Sequence, residues 1–375
     1  MALFFSSPDA QARDRWSEAE AKEWYDAQPW LVGANFVPST AINQLEMWQA
    51  DTFDPKTIDK ELGFAAAIGM NTMRVFLHEL AWEQDPKGFK RRVEKYLSIA
   101  DRHSIRTMLV FFDGCWNPNP KAGKQPDPVL GVHNSGWVQS PGWEVLKDPS
   151  SWGRLEKYIT DIVTTFANDK RVLAWDVYNE PECRRKFLPM VNAGIKKLLP
   201  LAFQWTRNAD PSQPITGGLF YGPYAPIEEV STVNKILLEN SDINSFHNYD
   251  WPQEFEQEVK LLQTYGRPVI TTEYMARNVG STFDNILPIA KRHNVGAINW
   301  GLVDGKTQTK YPWGHLPCSF YSVLTDVNGA YLSLREECEP SVWFSDIFNK
   351  DGSPHRQAEI DLIKQLTNLP KGEAQ

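Results

Sequence analysis

Eight short apolar runs that alternate with helical patterns limit the fold of this 375-residue chain more than any other feature. When a helix connects two strands, it returns the chain to the same edge of the sheet, so the two strands run in parallel. Eight such units predict an α/β fold, a single (β/α)8 TIM barrel. The predicted strands are 31–36, 71–77, 105–113, 172–178, 214–220, 243–249, 268–274 and 295–302.

Helical patterns fill most connections, and we treat residues 1–375 as one domain with a helical N-terminal extension at 1–30. The extension contains a predicted helix, 17–28, which begins at Ser17 with Glu20 three residues later, the pattern of a capping box. The remaining predicted helices are 54–68, 88–103, 151–168, 186–207, 227–240, 252–265, 282–293 and 354–368.

Two connections are too long to be simple turns. They are residues 114–149, after the third predicted strand, and residues 303–353, after the eighth. Barrel enzymes build their active sites from the loops that follow the strands. We therefore expect both long loops to line the site.

Charge and cysteine spacing exclude several classes of partner. The net charge of −8 is spread along the chain, with no basic stripe for nucleic acid and no apolar run long enough to cross a bilayer. We expect neither a nucleic-acid nor a membrane partner. The four cysteines match no zinc pattern, so no metal site is predicted. Cys318 and Cys338 share one predicted loop, and they either pair in an oxidising compartment or stay free.

The first five residues are too short for the apolar core of a signal peptide. We therefore expect a mature secreted or periplasmic protein, with a cytoplasmic protein as the alternative.

Two glutamates, Glu180 and Glu273, each close an apolar run. They are 93 residues apart, which fits three units of about 31 residues in a barrel of roughly 250. This spacing places them on the fourth and seventh strands, facing each other across the barrel mouth. One protonated and one ionised carboxyl group in such a place are the equipment of a glycosidase. Asn179, next to Glu180, is placed to bind a sugar 2-hydroxyl.

Around these glutamates the chain resembles the retaining glycoside hydrolases of clan A, and it is most similar to family 5, the cellulase and mannanase family. The resemblance extends from Gly33 to about Trp300, through all eight predicted strands. In that family an Asn-Glu pair ends the fourth strand and supplies the acid/base, which implies Glu180 here. The glutamate that ends the seventh strand is the nucleophile, which implies Glu273.

The resemblance also implies several substrate-binding residues. Arg74 in NTMRVFL matches the family's second-strand arginine, from which a guanidinium keeps the nucleophile ionised. Three further family features are a His-x-Tyr after the sixth strand, a tryptophan beneath the bound sugar, and a Gly-x-Asn that ends the first strand. They match His247 and Tyr249, Trp300, and Asn35.

The chain departs from the family after the third strand, where a histidine is common. Asp113 or Trp116 is expected to line that subsite instead. Trp137 and Trp313 are interpreted either as sugar platforms or as packing within the loops. Lys306 and Arg277 are either solvated or positioned to recognise a carboxylated sugar.

The predicted function is that of a retaining β-glycoside hydrolase, acting on a β-linked oligo- or polysaccharide without a cofactor. The long loops favour a pocket or short groove, and hence exo action or small oligosaccharides. Two alternatives stay open: a carbohydrate-binding barrel without activity, and an endo-acting glucanase, mannanase or xylanase with an open cleft. The His-x-His of metal-dependent barrels and the Gly-x-Ser-x-Gly of serine hydrolases are absent from the sequence.

Overall fold

Parallel strands alternate with helices along the chain in the computed structural model, which describes residues 13–183, 189–220, 230–321 and 338–368. All eight predicted strands are present. The fifth is divided into two short strands around Gly217, where a Cβ atom would lie 2.6 Å from the side chain of Leu237. The strands are β1 (Val32–Asn35), β2 (Thr72–Phe76), β3 (Arg106–Asp113), β4 (Val172–Asn179), β5 (Ile215–Thr216), β6 (Gly218–Leu219), β7 (Asn244–His247), β8 (Val269–Glu273) and β9 (Gly296–Asn299).

The sheet is ordered β5-β4-β3-β2-β1-β9-β8-β7-β6, and every ladder between neighbours is parallel. Its two edge strands, β5 and β6, are separated only by Gly217 in the sequence, so the sheet closes on itself at this point. The predicted (β/α)8 TIM barrel is confirmed.

The helices lie between the strands, close to the predicted positions. The capping box is formed, since Ser17 accepts from the Glu20 backbone and Glu20 accepts from the Ser17 backbone. Five segments lie outside the described residues: 1–12, 184–188, 221–229, 322–337 and 369–375. The first four contain parts of the predicted extension, helices and loop. The helices are α1 (Glu18–Asp26), α2 (Gln44–Trp48), α3 (Pro55–Ala66), α4 (Glu79–Gln84), α5 (Pro86–Arg102), α6 (Trp143–Lys147), α7 (Gly153–Phe166), α8 (Pro189–Asn208), α9 (Thr232–Asn240), α10 (Pro252–Gln263), α11 (Phe283–Arg292), α12 (Cys318–Tyr321) and α13 (Gln357–Asn368).

Helix α1 covers the N-terminal end of the barrel. Its buried residues Ala21 and Tyr25 belong to one apolar cluster with residues at the beginnings of strands, among them Leu31, Leu173 and Ile243. This end is therefore packed, and the opposite end carries the cavity described below. Among the helices that the structure describes, none is both long and apolar enough to cross a membrane.

The two long loops contact each other above the barrel mouth. The Asn134 backbone N–H donates to the Thr307 carbonyl at 2.8 Å, and the Cys318 N–H donates to the Leu130 carbonyl at 2.8 Å. The Gln308 side chain accepts from the Gly131 N–H at 3.0 Å. The loops after β3 and β9 thus form one continuous wall.

Two disulfides fasten these loops. Cys318–Cys338 has a sequence separation of 20, and it agrees with one of the two expected states of this pair. Cys115–Cys183, with a separation of 68, was not anticipated from the sequence. It joins the loop after β3 to the segment after β4.

Removal of Cys115–Cys183 is expected to destabilise the protein more than removal of Cys318–Cys338, because the first closes the longer loop. Loop-closure entropy gives about 4 kcal/mol for the first and about 3 kcal/mol for the second. Urea unfolding of the Cys115→Ser/Cys183→Ser and Cys318→Ser/Cys338→Ser double variants, each against the unmodified protein, measures both. An unchanged free energy of unfolding in the first double variant would contradict this assignment.

Candidate active site

The guanidinium of Arg74 on β2 lies at the centre of the barrel floor and is fully buried. It donates to Asp176 at 2.8 and 3.0 Å, to Glu273 at 3.1 Å, to Asn35 at 3.0 Å and to Asn179 at 2.8 Å. Burial lowers the pKa of Arg74, but Asp176 and Glu273 outweigh burial and raise it above its usual range. Arg74 is therefore a permanent positive charge that connects β1, β4 and β8.

Glu273 closes β8, and its carboxylate accepts hydrogen bonds on both oxygens. Arg74 donates to Oε1 at 3.1 Å and the Tyr249 hydroxyl donates to Oε2 at 2.7 Å. Burial raises the pKa of Glu273 to about 7, a rise that Arg74 and Tyr249 oppose. Both neighbours favour the ionised form, because each donates a hydrogen bond to the carboxylate.

Glu180 directly follows β4, and its backbone φ of +42° is in the left-handed region. This conformation is unfavourable for a residue with a Cβ atom, and such strain is found mostly at functional sites. Gly114 permits the close approach of the neighbouring loop, since a Cβ atom there would lie 2.5 Å from the Glu180 carbonyl oxygen. Burial, with a contribution from Asp113, raises the pKa of Glu180 to about 8.

His247 lies between the two glutamates. Its Nδ1 is 2.7 Å from Glu180 Oε1 and 3.5 Å from Glu273 Oε2. One carboxylate oxygen of each glutamate and a ring nitrogen of His247 all lie within 4.8 Å of one another. Burial lowers the pKa of His247 to about 4, so the ring is neutral at neutral pH. We assign the ring proton to Nδ1, because Nε2 is buried without a partner and an orphaned donor costs more than an orphaned acceptor.

Asp113 fixes the orientation of the Asn179 amide. Asn179 donates to Asp113 at 3.0 Å and accepts from Arg74, which leaves one amide N–H without a partner among the described residues. The second oxygen of Asp113 accepts from the Trp137 indole at 2.6 Å. Burial raises the pKa of Asp113 to about 6. Asp113 thus holds both an amide and a tryptophan of the site.

A cavity of about 630 Å³ opens above these groups, within the range of about 300–1,000 Å³ that small-molecule sites occupy. Trp137 packs edge-on against Trp300, with ring centroids 5.7 Å apart, and Trp313 packs edge-on against Tyr249 at 4.8 Å. Trp313 is 45% exposed, which places it at the mouth. The cavity is lined by Asp113, Cys115, Trp116, His133, Asn134, Trp137, Asn179, Glu180, Cys183, Phe220, His247, Asn248, Tyr249, Asp250, Glu258, Glu273, Trp300 and Trp313.

The disulfide Cys115–Cys183 forms part of this lining beside Glu180. The Cys115 sulfur lies 2.7 Å from Glu180 Oε2. A disulfide sulfur has no proton to donate, so this neighbour does not favour the ionised carboxylate. The contact agrees with the raised pKa of Glu180.

Most of the predicted site residues lie in the cavity lining, and four do not. Arg74 and Asn35 do not line the cavity: Arg74 donates to Glu273 and Asn179 from below, and Asn35 accepts from Arg74. Lys306 and Arg277 are directed elsewhere. Lys306 pairs with Glu46 at 2.6 Å, and Arg277 is buried against Glu359 at 2.6 Å. The expectation that either cation recognises a carboxylated sugar therefore has no support in the geometry, because both charges are already paired.

Several residues of the site were not singled out from the sequence. Asp176 had a readable signal, since a charged residue inside the apolar run VLAWDVY needs a buried partner. His133 and Asn134 had none beyond their place in a long loop. The pairing of Cys115 with Cys183 depends on the closed barrel, which local sequence does not encode.

Comparisons with known proteins agree with the barrel fold. A family model described as Cellulase (glycosyl hydrolase family 5) matches residues 37–306. No curated protein sequence matches the chain. Among solved structures, the exo-β-1,4-mannosidase Op5Man5 of an Opitutaceae bacterium is 16% identical with a TM-score of 0.57. The alignment covers 90% of this chain and 59% of that protein, so the chain spans about three-fifths of its length.

Two other similar structures differ in how much of the chain they cover. GH5_18 of Streptomyces cattleya, solved with Manβ1-4GlcNAc, is 12% identical with a TM-score of 0.57, and the alignment covers 92% of this chain and 83% of that one. The β-1,4-D-mannanase of Cryptopygus antarcticus is 16% identical with a TM-score of 0.53, and the alignment covers 73% of this chain and 84% of that one.

Replacement of Tyr249 by Phe is expected to raise the pKa of Glu273. The hydroxyl stabilises the ionised carboxylate, so its loss makes proton release harder and moves the acid limb of the kcat/KM profile upward by about one pH unit. The pH dependence of aryl glycoside hydrolysis measures the shift. Tyr25→Phe, which removes a hydroxyl at the opposite end of the barrel, is the control. Coincident acid limbs for Tyr249→Phe and the unmodified protein would refute the contact.

Proposed function

The chain belongs to glycosyl hydrolase family 5, and we propose that within this family it is a retaining, exo-acting β-glycosidase of short β-mannosides, with Glu273 as nucleophile and Glu180 as acid/base. That it hydrolyses β-linked sugars follows from the family. The retaining mechanism, the roles of the residues and the sugar are our proposal.

The spacing of the two carboxyl groups carries the mechanism. Their nearest oxygens lie within 4.8 Å of each other. Retaining enzymes hold the two groups about 5–5.5 Å apart, whereas inverting enzymes need roughly 6.5–9.5 Å to admit a water between carboxylate and sugar. The gap in this site supports direct attack by a carboxylate.

The reaction then has two steps. Glu273 attacks the anomeric carbon, the glycosidic C–O bond breaks, and the proton of Glu180 passes to the leaving oxygen. Ionised Glu180 then takes a proton from water, the water oxygen attacks the anomeric carbon, and Glu273 leaves as a carboxylate. No electrons are exchanged with a cofactor in either step.

The electrostatics support this division of roles. Glu273 accepts from the Arg74 cation and the Tyr249 hydroxyl, whereas Glu180 accepts from the neutral His247 ring and has no cation bonded to it among the described residues. Burial raises the pKa of both glutamates, and the hydrogen bonds from Arg74 and Tyr249 oppose that rise at Glu273, which favours Glu180 as the group that holds the proton. When Glu273 becomes an ester its negative charge disappears, so the pKa of Glu180 falls and it becomes a base.

Two observations support exo action on a β-mannoside. The joined loops after β3 and β9 close one side of the cavity, as a pocket for a chain end requires. The Opitutaceae exo-mannosidase and the Manβ1-4GlcNAc complex align over 90% and 92% of this chain, whereas the Cryptopygus mannanase aligns over 73%. The alternative is endo action on a mannan chain, and the third relative is named a β-1,4-D-mannanase.

We place the protein in an oxidising compartment, secreted or periplasmic. Both disulfides support this, because thiols are kept reduced in the cytosol.

The roles of the glutamates are tested by substitution. Glu273→Gln is expected to abolish turnover, because an amide is a poor nucleophile. Glu180→Ala is expected to lose about 10²–10⁴ in kcat/KM on alkyl glycosides but little in kcat/KM on 2,4-dinitrophenyl glycosides, whose leaving group needs no proton in the first step. Added azide restores Glu180→Ala and yields a β-glycosyl azide.

Glu23→Gln, on the exposed face of α1, is the matched control and keeps full activity. Equal losses on both classes of leaving group would reject Glu180 as the acid.

Product analysis tests the substrate class. We expect p-nitrophenyl β-mannoside to be hydrolysed faster than its β-glucoside and β-xyloside counterparts, and mannohexaose to release mannose as the first product. Chromatography of early time points measures both. Mannobiose and mannotriose as first products would show endo action, and preference for the glucoside would reject the mannoside assignment.

A further inference from the structure

Two neighbouring residues of the loop after β3 present unpaired polar atoms at the cavity. His133 and Asn134 both line it, and they are 3% and 2% exposed. The His133 Nε2 and both side-chain atoms of Asn134, Oδ1 and Nδ2, are buried and have no hydrogen-bond partner among the described residues. A buried polar atom that stays unpaired is unfavourable, because it has lost its hydrogen bonds to water.

Other contacts hold the ring of His133 and the backbone of Asn134 in place. His133 Nδ1 lies 2.7 Å from the Tyr311 carbonyl, and the ring stacks on Trp116 with centroids 5.7 Å apart. The Asn134 backbone donates to Thr307 and accepts from Trp137. Its φ of +51° is in the left-handed region, which asparagine tolerates better than most residues.

The hydrogen-bonding capacity of the pair is defined. Burial lowers the pKa of His133 to about 4, so its ring is neutral. The Nδ1 proton is donated to the Tyr311 carbonyl, which makes Nε2 an acceptor. Asn134 adds one acceptor and two donors. Vicinal hydroxyls of a sugar, each both donor and acceptor, match this set.

The pair belongs to the Glu273 side of the cavity. Asn134 is bonded to Trp137, whose ring packs on Trp300. His133 packs edge-on against Trp313, which packs on Tyr249, the hydroxyl donor to Glu273. The nucleophile lies beneath the sugar whose glycosidic bond is broken, so these contacts connect the wall to the site of that sugar.

We propose that His133 and Asn134 form a specificity subsite that binds hydroxyls at the non-reducing end of the terminal sugar, His133 as acceptor and Asn134 as donor and acceptor. The proposal rests on the retaining glycosidase function and deepens it. A sugar without the matching hydroxyl leaves buried polar atoms unpaired and is rejected. A further sugar attached at that hydroxyl meets the same wall, which accounts for exo action.

The subsite is tested by a double-mutant cycle in which one change removes a sugar hydroxyl and the other replaces His133 or Asn134. The substrates are an aryl β-mannoside and its 3-, 4- and 6-deoxy analogues, each assayed with the unmodified protein, Asn134→Gly and His133→Asn. Asn134→Gly keeps the positive φ and removes the amide. His133→Asn keeps a donor for Tyr311 and removes Nε2. Asn119→Gly, an exposed asparagine of the same loop, is the matched control.

The unmodified protein is expected to lose about tenfold in kcat/KM on at least one deoxy analogue. Each variant loses about tenfold on the full sugar but little more on that analogue, whereas Asn119→Gly behaves as the unmodified protein. If the variants and the unmodified protein discriminate equally between the full sugar and the deoxy analogues, the proposed subsite is wrong and these atoms bind water instead. Should Asn134→Gly fail to fold, Asn134→Asp keeps the shape but replaces the amide donor by a carboxylate oxygen, which only accepts.

The same cycle is measured as dissociation constants in the Glu273→Gln background, which needs no turnover. Suppose that residue and hydroxyl changes have coupled effects on the dissociation constants, but the unmodified protein hydrolyses none of the substrates. That result would refute the proposed function and leave the subsite standing. Hydrolysis with retention and no coupling would refute the subsite alone.

Discussion

The buried guanidinium of Arg74 is the interaction on which the rest of the site depends. It is bonded to Asp176, Glu273, Asn35 and Asn179, so one side chain sets the positions of the nucleophile candidate and of the amide beside the acid candidate. A fully buried cation without carboxylate partners would be unstable, and removal of one partner from such a group costs about 3–5 kcal/mol. Folding and the geometry of the site are therefore coupled through one charge.

The same charge separates the two glutamates chemically. Both are buried, and burial alone would favour two neutral acids. Arg74 and Tyr249 contact Glu273, whereas Glu180 contacts a neutral histidine and a disulfide sulfur. The left-handed backbone at Glu180 and the absence of a Cβ atom at Gly114 bring this carboxyl group to within reach of its partner. The loops above then determine which sugar reaches the pair.

Much of this was predictable because the signals are local. Apolar runs fixed the strands, and residues at strand ends shared one edge of the barrel. The ladders pair Asn35 with Arg74, Asp113 with Asn179, and His247 with Glu273. These pairings explain why residues from separate motifs meet. The features that the sequence did not predict depend on contacts between residues that are far apart in the chain. Lys306 has a partner 260 positions away, and the Cys115–Cys183 bridge and the inward side chains of His133 and Asn134 depend on how two loops pack.

The central claim is that Glu273 becomes covalently glycosylated while Glu180 handles the proton. Mass spectrometry of the protein inactivated with a 2-deoxy-2-fluoro-β-mannosyl fluoride tests it most directly, because fluorine at C2 slows the second step and traps the intermediate. The account predicts one sugar per chain, on the peptide that carries Glu273. An unlabelled protein that releases the inverted sugar, or a label on the peptide that carries Glu180, would contradict it.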